Sequence, residues 1–317
     1  MERYVYKIVP LAEISTAFPF AVRYSLKDPL LCVSVAKRGV LQPVLLTADK
    51  QVLSGHKRVA AARTAGLGEI PAFEISGAQN SKDFYWLAIV SNWKQALGDL
   101  DRAWVVKRAL QDFKFDEKEV IEEILPALGL EPQKHFLEEC MEVAALESPV
   151  LEAIAGGRLP FRGARVLRRF SPSDQIDFAR LVAERAVLTS NQLLKAGEWL
   201  FDLMKLKKLP LEAIFKIPAL ETSLEASSQD RRQKGEKFCA SLRTLRFPEL
   251  ARKEKEFGTL AGKIEADQPF SLEAPAFFEG EGLTLRAKLA NPEALDKLSA
   301  AFARQRKLFN SLFDVML

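Results

Sequence analysis

Apolar and polar positions along the 317-residue chain change rhythm twice. Up to about residue 78 the apolar runs are short and closely punctuated. Residues 5–9 (VYKIV) read as a strand, and residues 29–37 as a helix that Arg38-Gly39 closes, with Gly39 just past its end. Residues 41–47 predict a short strand whose Pro43 suits an edge or a first position. Asp49-Lys50 makes a turn, and residues 51–53 return as the hairpin partner. Ser54-Gly55 then leads into a helix over 56–65 ended by Gly66, and residues 70–75 form a last strand.

From Asp83 to about Ile217 the period is helical, with breaks at Gly98, Gly129, Gly156-Gly157, Ser171-Pro172 and Pro210. Ala103, Val106, Leu110 and Phe113 recur at amphipathic spacing. Residues 221–236 are polar and rich in small residues, which predicts a linker or a frayed helix start. Near the end, Leu283, Leu285, Ala287 and Leu289 alternate with Thr284, Arg286 and Lys288, the pattern of a half-buried strand. Residues 270–273 are its expected partner across the turn at 279–282. Asn291-Pro292 opens a final helix with Leu295, Leu298, Phe302, Phe309 and Leu312 near one face. Such a stripe serves either a dimer contact or the module's own small core. The fold class expected is α+β and multidomain. It comprises a small mixed α/β domain over 1–80, an all-helical domain over 83–220, a linker over 221–236 and a small α+β module over 237–317.

Composition changes this picture little. No apolar run is long enough to cross a bilayer, and the first residues have no signal-peptide character, so a cytoplasmic protein without a membrane partner is expected. Cys32, Cys140 and Cys239 lie far apart, and with only His56 and His135 beside them a metal site is not expected. Charge is more informative. Residues 1–90 carry 11 Lys/Arg against 7 Asp/Glu, residues 91–150 carry 7 against 13, and residues 151–170 carry 5 against 1. A polyanionic partner should therefore meet the first domain or the arginine cluster at 158–169.

Three runs stand in order: residues 39–46 (GVLQPVLL), 52–62 (VLSGHKRVAAA) and 65–72 (AGLGEIPA). Together they resemble the N-terminal domain of ParB-family proteins, whose fold is shared with sulfiredoxin-like proteins and small ParB-like kinases and nucleases. A glycine at a strand-to-helix turn lets backbone N–H groups approach a ligand, and a helix N-terminus favours an anion. Lys57 and Arg58 add charge there, and an arginine can hold a phosphate through two parallel bonds. The resemblance implies that this turn faces the triphosphate of CTP, with Mg2+ as a possible companion. It points to Arg23, Gln42, Gly55, His56, Lys57, Arg58 and Asn92 as nucleotide contacts.

The pattern departs from the family in two places. The stretch Ser91-Asn92-Trp93-Lys94-Gln95 stands where the family has a Glu-Asn-x-Gln-Arg-type motif, and His56 stands where the turn has a Glu. Two carboxylates that would hold a metal and direct water are missing. Binding is expected to persist, with CTP hydrolysis weak or lost and no catalytic residue assigned. The cysteine of the sulfiredoxin turn is also absent, since Gly55 directly precedes His56. Asp49 and Glu74 are the only nearby carboxylates by sequence.

The resemblance continues at lower specificity to about residue 215. Residues 115–128 stand as the first helix of a helix-turn-helix and residues 132–145 (PQKHFLEECMEVAA) as its second. Glu138, Glu139 and Glu142 make the second helix a poor reader of DNA, because carboxylates repel phosphates. The arginines are better placed. Arg162, Arg165 and Arg169 are expected on one helical face with Arg158 and Arg168 nearby, able to neutralise phosphates without reading sequence. The alternative is a basic face paired with the acidic segment before it. Two classes of function stay open. One is a DNA-associated protein in which nucleotide binding controls self-association or loading, in partition or a related process, with a homodimer through the C-terminal module. The other is an enzyme of the same fold, a nucleotide-dependent kinase or nuclease. A degenerate protein–protein adaptor is the third possibility.

Overall fold

The computed structural model describes residues 3–76, 80–92, 97–225, 230–266, 268, 270–280, 282–289 and 291–316. It divides into two compact units, one of Met1–Gly197 with Asp230–Arg232, the other of Glu198–Gln229 with Gln233–Leu317.

The first unit opens with a four-stranded sheet of order β1-β4-β2-β3, formed by β1 (Arg3–Pro10), β2 (Val44–Thr47), β3 (Val52–Ser54) and β4 (Glu69–Ser76). β4 runs antiparallel to β1 and parallel to β2, while β2 and β3 form a hairpin with an irregularity between Leu45 and Leu46. Helices α1 (Pro29–Arg38) and α2 (His56–Thr64) follow from local chemistry. Asp28 caps α1 by accepting the Leu31 N–H at 3.1 Å, Pro29 fills the first turn, and Gly39 at φ 71° ends it. One sheet face buries Val9, Val44, Leu46, Ile70 and Ala72 with Val35 and Val59 of these helices.

The opposite side joins the helical part without a break. Leu53 and Ile75 share a core with Tyr85 of α3 (Ser81–Ser91) and with Val105 and Val106 of α4 (Asp99–Gln111). Beyond α4 the chain is helical over Glu117–Ala127, with a π-helical turn at Val120–Ile124, then turns at Gly129 and resumes as Lys134–Ala144. This is the expected helix-turn-helix-like part. Its second helix buries Leu137, Cys140, Val143 and Ala144, leaving Glu138 and Glu142 exposed.

The segment read as a linker is helical at both ends: residues 221–225 close the helix Pro218–Glu225, and residues 231–236 open Arg231–Arg246. In the second unit, β5 (Phe270–Glu273) and β6 (Thr284–Ala287) pair antiparallel beside the helices Pro248–Glu265 and Pro292–Met316. The apolar stripe of the last helix is buried in part. Leu298, Phe309 and Leu312 are buried with Phe257, Ile264 and Leu272, Leu295 is exposed, and the partly exposed Phe302 packs against Phe270 and Phe309. Among the described residues, no helix is long and apolar enough to cross a membrane.

Candidate functional site

The turn between β3 and α2 determines the site. Gly55 sits at φ 97°, a left-handed conformation that costs a side-chain-bearing residue strain. A Cβ there would lie 2.7 Å from Val44 Cγ1 and 3.1 Å from Arg58 Cζ, so glycine also permits the close packing of β2 against the helix start. In front of this turn lies a cavity of about 270 Å³. It is lined by Arg23, Gln42, Gly55, His56, Lys57, Arg58 and Asn92, together with Val22, Leu26, Asp28 and Leu31. All seven residues named from the sequence thus meet at one place, drawn from the segment before α1, the segment before β2, the start of α2 and the end of α3. Trp93, Lys94 and Gln95 of the same motif lie outside the described residues.

Each cation at the cavity already has a partner. Arg23 Nη1 donates to Asp101 Oδ2 at 3.0 Å, and the other oxygen of Asp101 accepts the Tyr24 N–H at 3.0 Å. Lys57 Nζ lies 3.2 Å from Asp28 Oδ2. Arg58 Nη1 donates to the carbonyls of Gln42 and Pro43 at 2.8 and 2.7 Å, fixing the segment that leads into β2. Burial lowers the Arg58 pKa from its ordinary value, yet a guanidinium stays charged in proteins. The Asp28 carboxyl is held below the usual range by the Leu31 N–H first and by Lys57 second.

His56 behaves differently from its charged neighbours. It is 5% exposed, packs edge-on to Phe18 with ring centroids 5.4 Å apart, and its Nε2 has no hydrogen-bond partner. Burial pushes its pKa down to about 4, with a bond to the Val52 backbone opposing and Arg108 and Arg58 adding to the depression. The side chain is therefore neutral at pH 7, which removes it as a charge partner for phosphate. Asn92 is buried as well, its Nδ2 donating to the Ala88 carbonyl at 2.7 Å, so that the amide oxygen is left for other contacts.

Two acidic residues at this site escaped the sequence reading. Asp28 was legible as a helix cap in Asp28-Pro29, but its place beside Lys57 depends on how α1 packs against α2. Asp101 looked like an ordinary first-turn carboxylate of α4, and only the fold brings it to Arg23. Of the nearby carboxylates considered from sequence, Glu74 is bound to Lys7 and Lys50 and lines no part of the cavity. A magnesium ion fits this donor set poorly. Among the described residues, Asp28 is the lone carboxylate lining the cavity, and both of its oxygens are engaged. No group of three or more His, Cys, Asp or Glu able to hold a metal occurs among the described residues.

The arginine cluster is arranged otherwise than the α-helical expectation. Gly163 is left-handed at φ 94°, and residues Ala164–Arg169 form a 3-10 helix. With three residues per turn, Arg165 and Arg168 share a face, while Arg162 precedes the Gly163 break and Arg169 points elsewhere. The expected face of Arg162, Arg165 and Arg169 is therefore corrected. Arg162, Arg165, Arg168 and Arg169 are exposed and Arg158 is half-buried. Among the described residues, Arg158, Arg162, Arg165 and Arg168 make no ion pair.

Known partition proteins resemble this chain in sequence. No family model matches the chain. A chromosome-partitioning protein ParB from Myxococcus xanthus is 28% identical over 143 residues, which is 43% of this chain and 45% of that protein. A probable plasmid-partitioning protein ParB from Thermus thermophilus is 25% identical over 252 residues, covering 69% of this chain and 83% of its own length. By sequence the chain resembles ParB proteins, at low identity. It spans about half the length of the ParB proteins of Myxococcus xanthus, Borreliella burgdorferi and Coxiella burnetii that it matches. Among solved structures, the C-terminally truncated ParB of Caulobacter crescentus, complexed to the centromeric parS site, aligns over 61% of this ParB-like chain and 98% of its own. The identity there is 20% and the TM-score 0.35, which supports no superposition of one site on the other.

Proposed function

We propose that this chain binds a nucleoside triphosphate, CTP first among the candidates, in the cavity at the Gly55 turn. Occupancy of that cavity then controls self-association or loading on DNA, in partition or a related process. The observation that carries the reading is the convergence of Arg23, Lys57 and Arg58 on one cavity beside a helix N-terminus. The curated relatives are named for chromosome or plasmid partitioning, which suggests the process. Exposed Arg162, Arg165 and Arg168 without ion pairs suit contacts to phosphates irrespective of sequence. The carboxylate-bearing helix Lys134–Ala144 suits sequence readout less well. The exposed Leu295 and partly exposed Phe302 offer apolar surface for a homodimer contact.

One observation favours the adaptor reading: every cation at the cavity is satisfied within the protein. Calorimetric titration with CTP, ATP and GTP separates the two. Saturable binding selective for CTP is expected. No binding of any of the three, with or without duplex DNA, would leave a fold that has lost its ligand and would put the adaptor first.

A further inference from the structure

We propose that the cavity takes the polyphosphate of its ligand without a divalent metal, an inference that rests on the nucleotide-binding reading above. Magnesium in nucleotide sites is usually held by one or two protein carboxylates together with phosphate oxygens and water. Among the described residues, the one cavity carboxylate is already bound twice. Asp28 Oδ1 caps α1 through the Leu31 N–H at 3.1 Å, and Oδ2 holds Lys57 at 3.2 Å. Recruiting it to a metal would uncap the helix and strip Lys57 of its partner.

The other donors are no better suited. The unpartnered Nε2 of His56 belongs to a neutral imidazole, a ligand that suits zinc, copper or nickel rather than magnesium. Asn92 contributes a single neutral oxygen, since its nitrogen is bound to Ala88. Against these stand three cations, Arg23, Lys57 and Arg58, lining the same space. They supply the positive charge that a metal would otherwise bring. A metal-free triphosphate carries more negative charge than its magnesium complex, so the cations attract it more strongly.

The unbound Nε2 refines the reading. In a buried neutral imidazole whose other nitrogen is tied to the Val52 backbone, this atom is a hydrogen-bond acceptor. It repels a phosphate oxygen and selects a donor, such as a ribose hydroxyl or an exocyclic amine. His56 is thus a specificity-determining position beside the phosphates.

The experiment is calorimetric titration of the full chain with CTP in magnesium and in EDTA, followed by the same pair for His56→Glu. The wild-type affinity in EDTA should lie within about tenfold of the magnesium value or above it. His56→Glu should lose affinity in EDTA and recover it with magnesium, because it places a carboxylate beside the phosphates. Binding by the wild type that needs magnesium would overturn the metal-free inference while leaving nucleotide binding intact. Absence of binding under both conditions would overturn the nucleotide reading and this inference with it. A thermal melt identifies an unfolded His56→Glu, in which case the wild-type pair alone decides.

Discussion

Asp101→Asn should strengthen nucleotide binding while weakening the ligand-free protein. Arg23 and Asp101 form a 3.0 Å ion pair with side chains only 19% and 17% exposed, so water screens it little. If phosphate is to engage Arg23, it competes with a carboxylate already in place. At an effective dielectric near 20, two charges about 4 Å apart attract by about 4 kcal/mol before desolvation is counted. Bonds to charged groups retain a net value of roughly 1.5–3 kcal/mol. Asparagine keeps an acceptor for the Tyr24 N–H, but it replaces the oxygen that accepts from Arg23 and from the Gly98 N–H with an NH2 donor, so the charge and those two bonds are lost together. The apparent affinity for CTP should therefore rise about tenfold, equivalent to ~1.4 kcal/mol. The denaturation midpoint without nucleotide should fall by a comparable energy, because Arg23 loses its counter-charge. Calorimetry and urea melts on the same preparations read both signs. An affinity that stays constant or drops would mean that Arg23 never exchanges partners, and the exchange argument would fail.

Three further outcomes follow from the same geometry. The His56 pKa lies near 4 in the folded chain, below the ~6.5 of an unfolded one. Stability is therefore complete above about pH 6.5 and is lost as pH falls toward 4, by up to ~3 kcal/mol. Urea melts across that window should show the slope in the wild type and a flatter profile in His56→Gln; equal profiles would refute the assignment. Gly55→Ala places a Cβ 2.7 Å from Val44 Cγ1 at φ 97° and should cost at least ~1–3 kcal/mol in thermal unfolding. An unshifted melt would show that the turn relaxes freely. Replacing Arg162, Arg165 and Arg168 with glutamine should reduce the slope of log affinity for duplex DNA against log salt, by roughly 0.9 for each phosphate no longer neutralised. Fluorescence anisotropy that returns the wild-type slope would remove them from the interface.

Much of the first unit was legible because its signals are local. Pro29 and Gly39 delimit α1, Gly55 and Gly66 bracket α2, and the short apolar runs give all four strands within a few residues. The arginine cluster was misread because a single glycine decides it. Periodicity alone makes Arg162, Arg165 and Arg169 one α-helical stripe, whereas left-handed Gly163 cuts the segment and the remainder tightens into a 3-10 turn. The polar stretch 221–236 left two readings, a linker or a frayed helix start, because polar residues end and begin helices as readily as they fill loops; both of its described ends are helical. The continuous core that joins Leu53 and Ile75 to Tyr85 and Val105 could not be seen at all, since such contacts span dozens of residues.

The cavity shows why motif residues can be read from sequence while their partners cannot. Lys57 and Arg58 follow Gly55 directly, so the turn that exposes them is written in one tetrapeptide. The counter-charges of Lys57 and Arg23 come from distant segments: Asp28 lies 29 residues from Lys57, and Asp101 opens α4 at a separation of 78 residues from Arg23. A cleft that gathers cations before any ligand arrives must satisfy them internally, since partly buried charges without partners are costly. Internal carboxylates and carbonyls are the available groups, and those here take the role that phosphate oxygens would take on binding. Under the proposed nucleotide reading, the same acids that keep the ligand-free fold stable would set its threshold for nucleotide. Removing one shifts stability and affinity in opposite directions, a signature that simple loss of structure cannot produce.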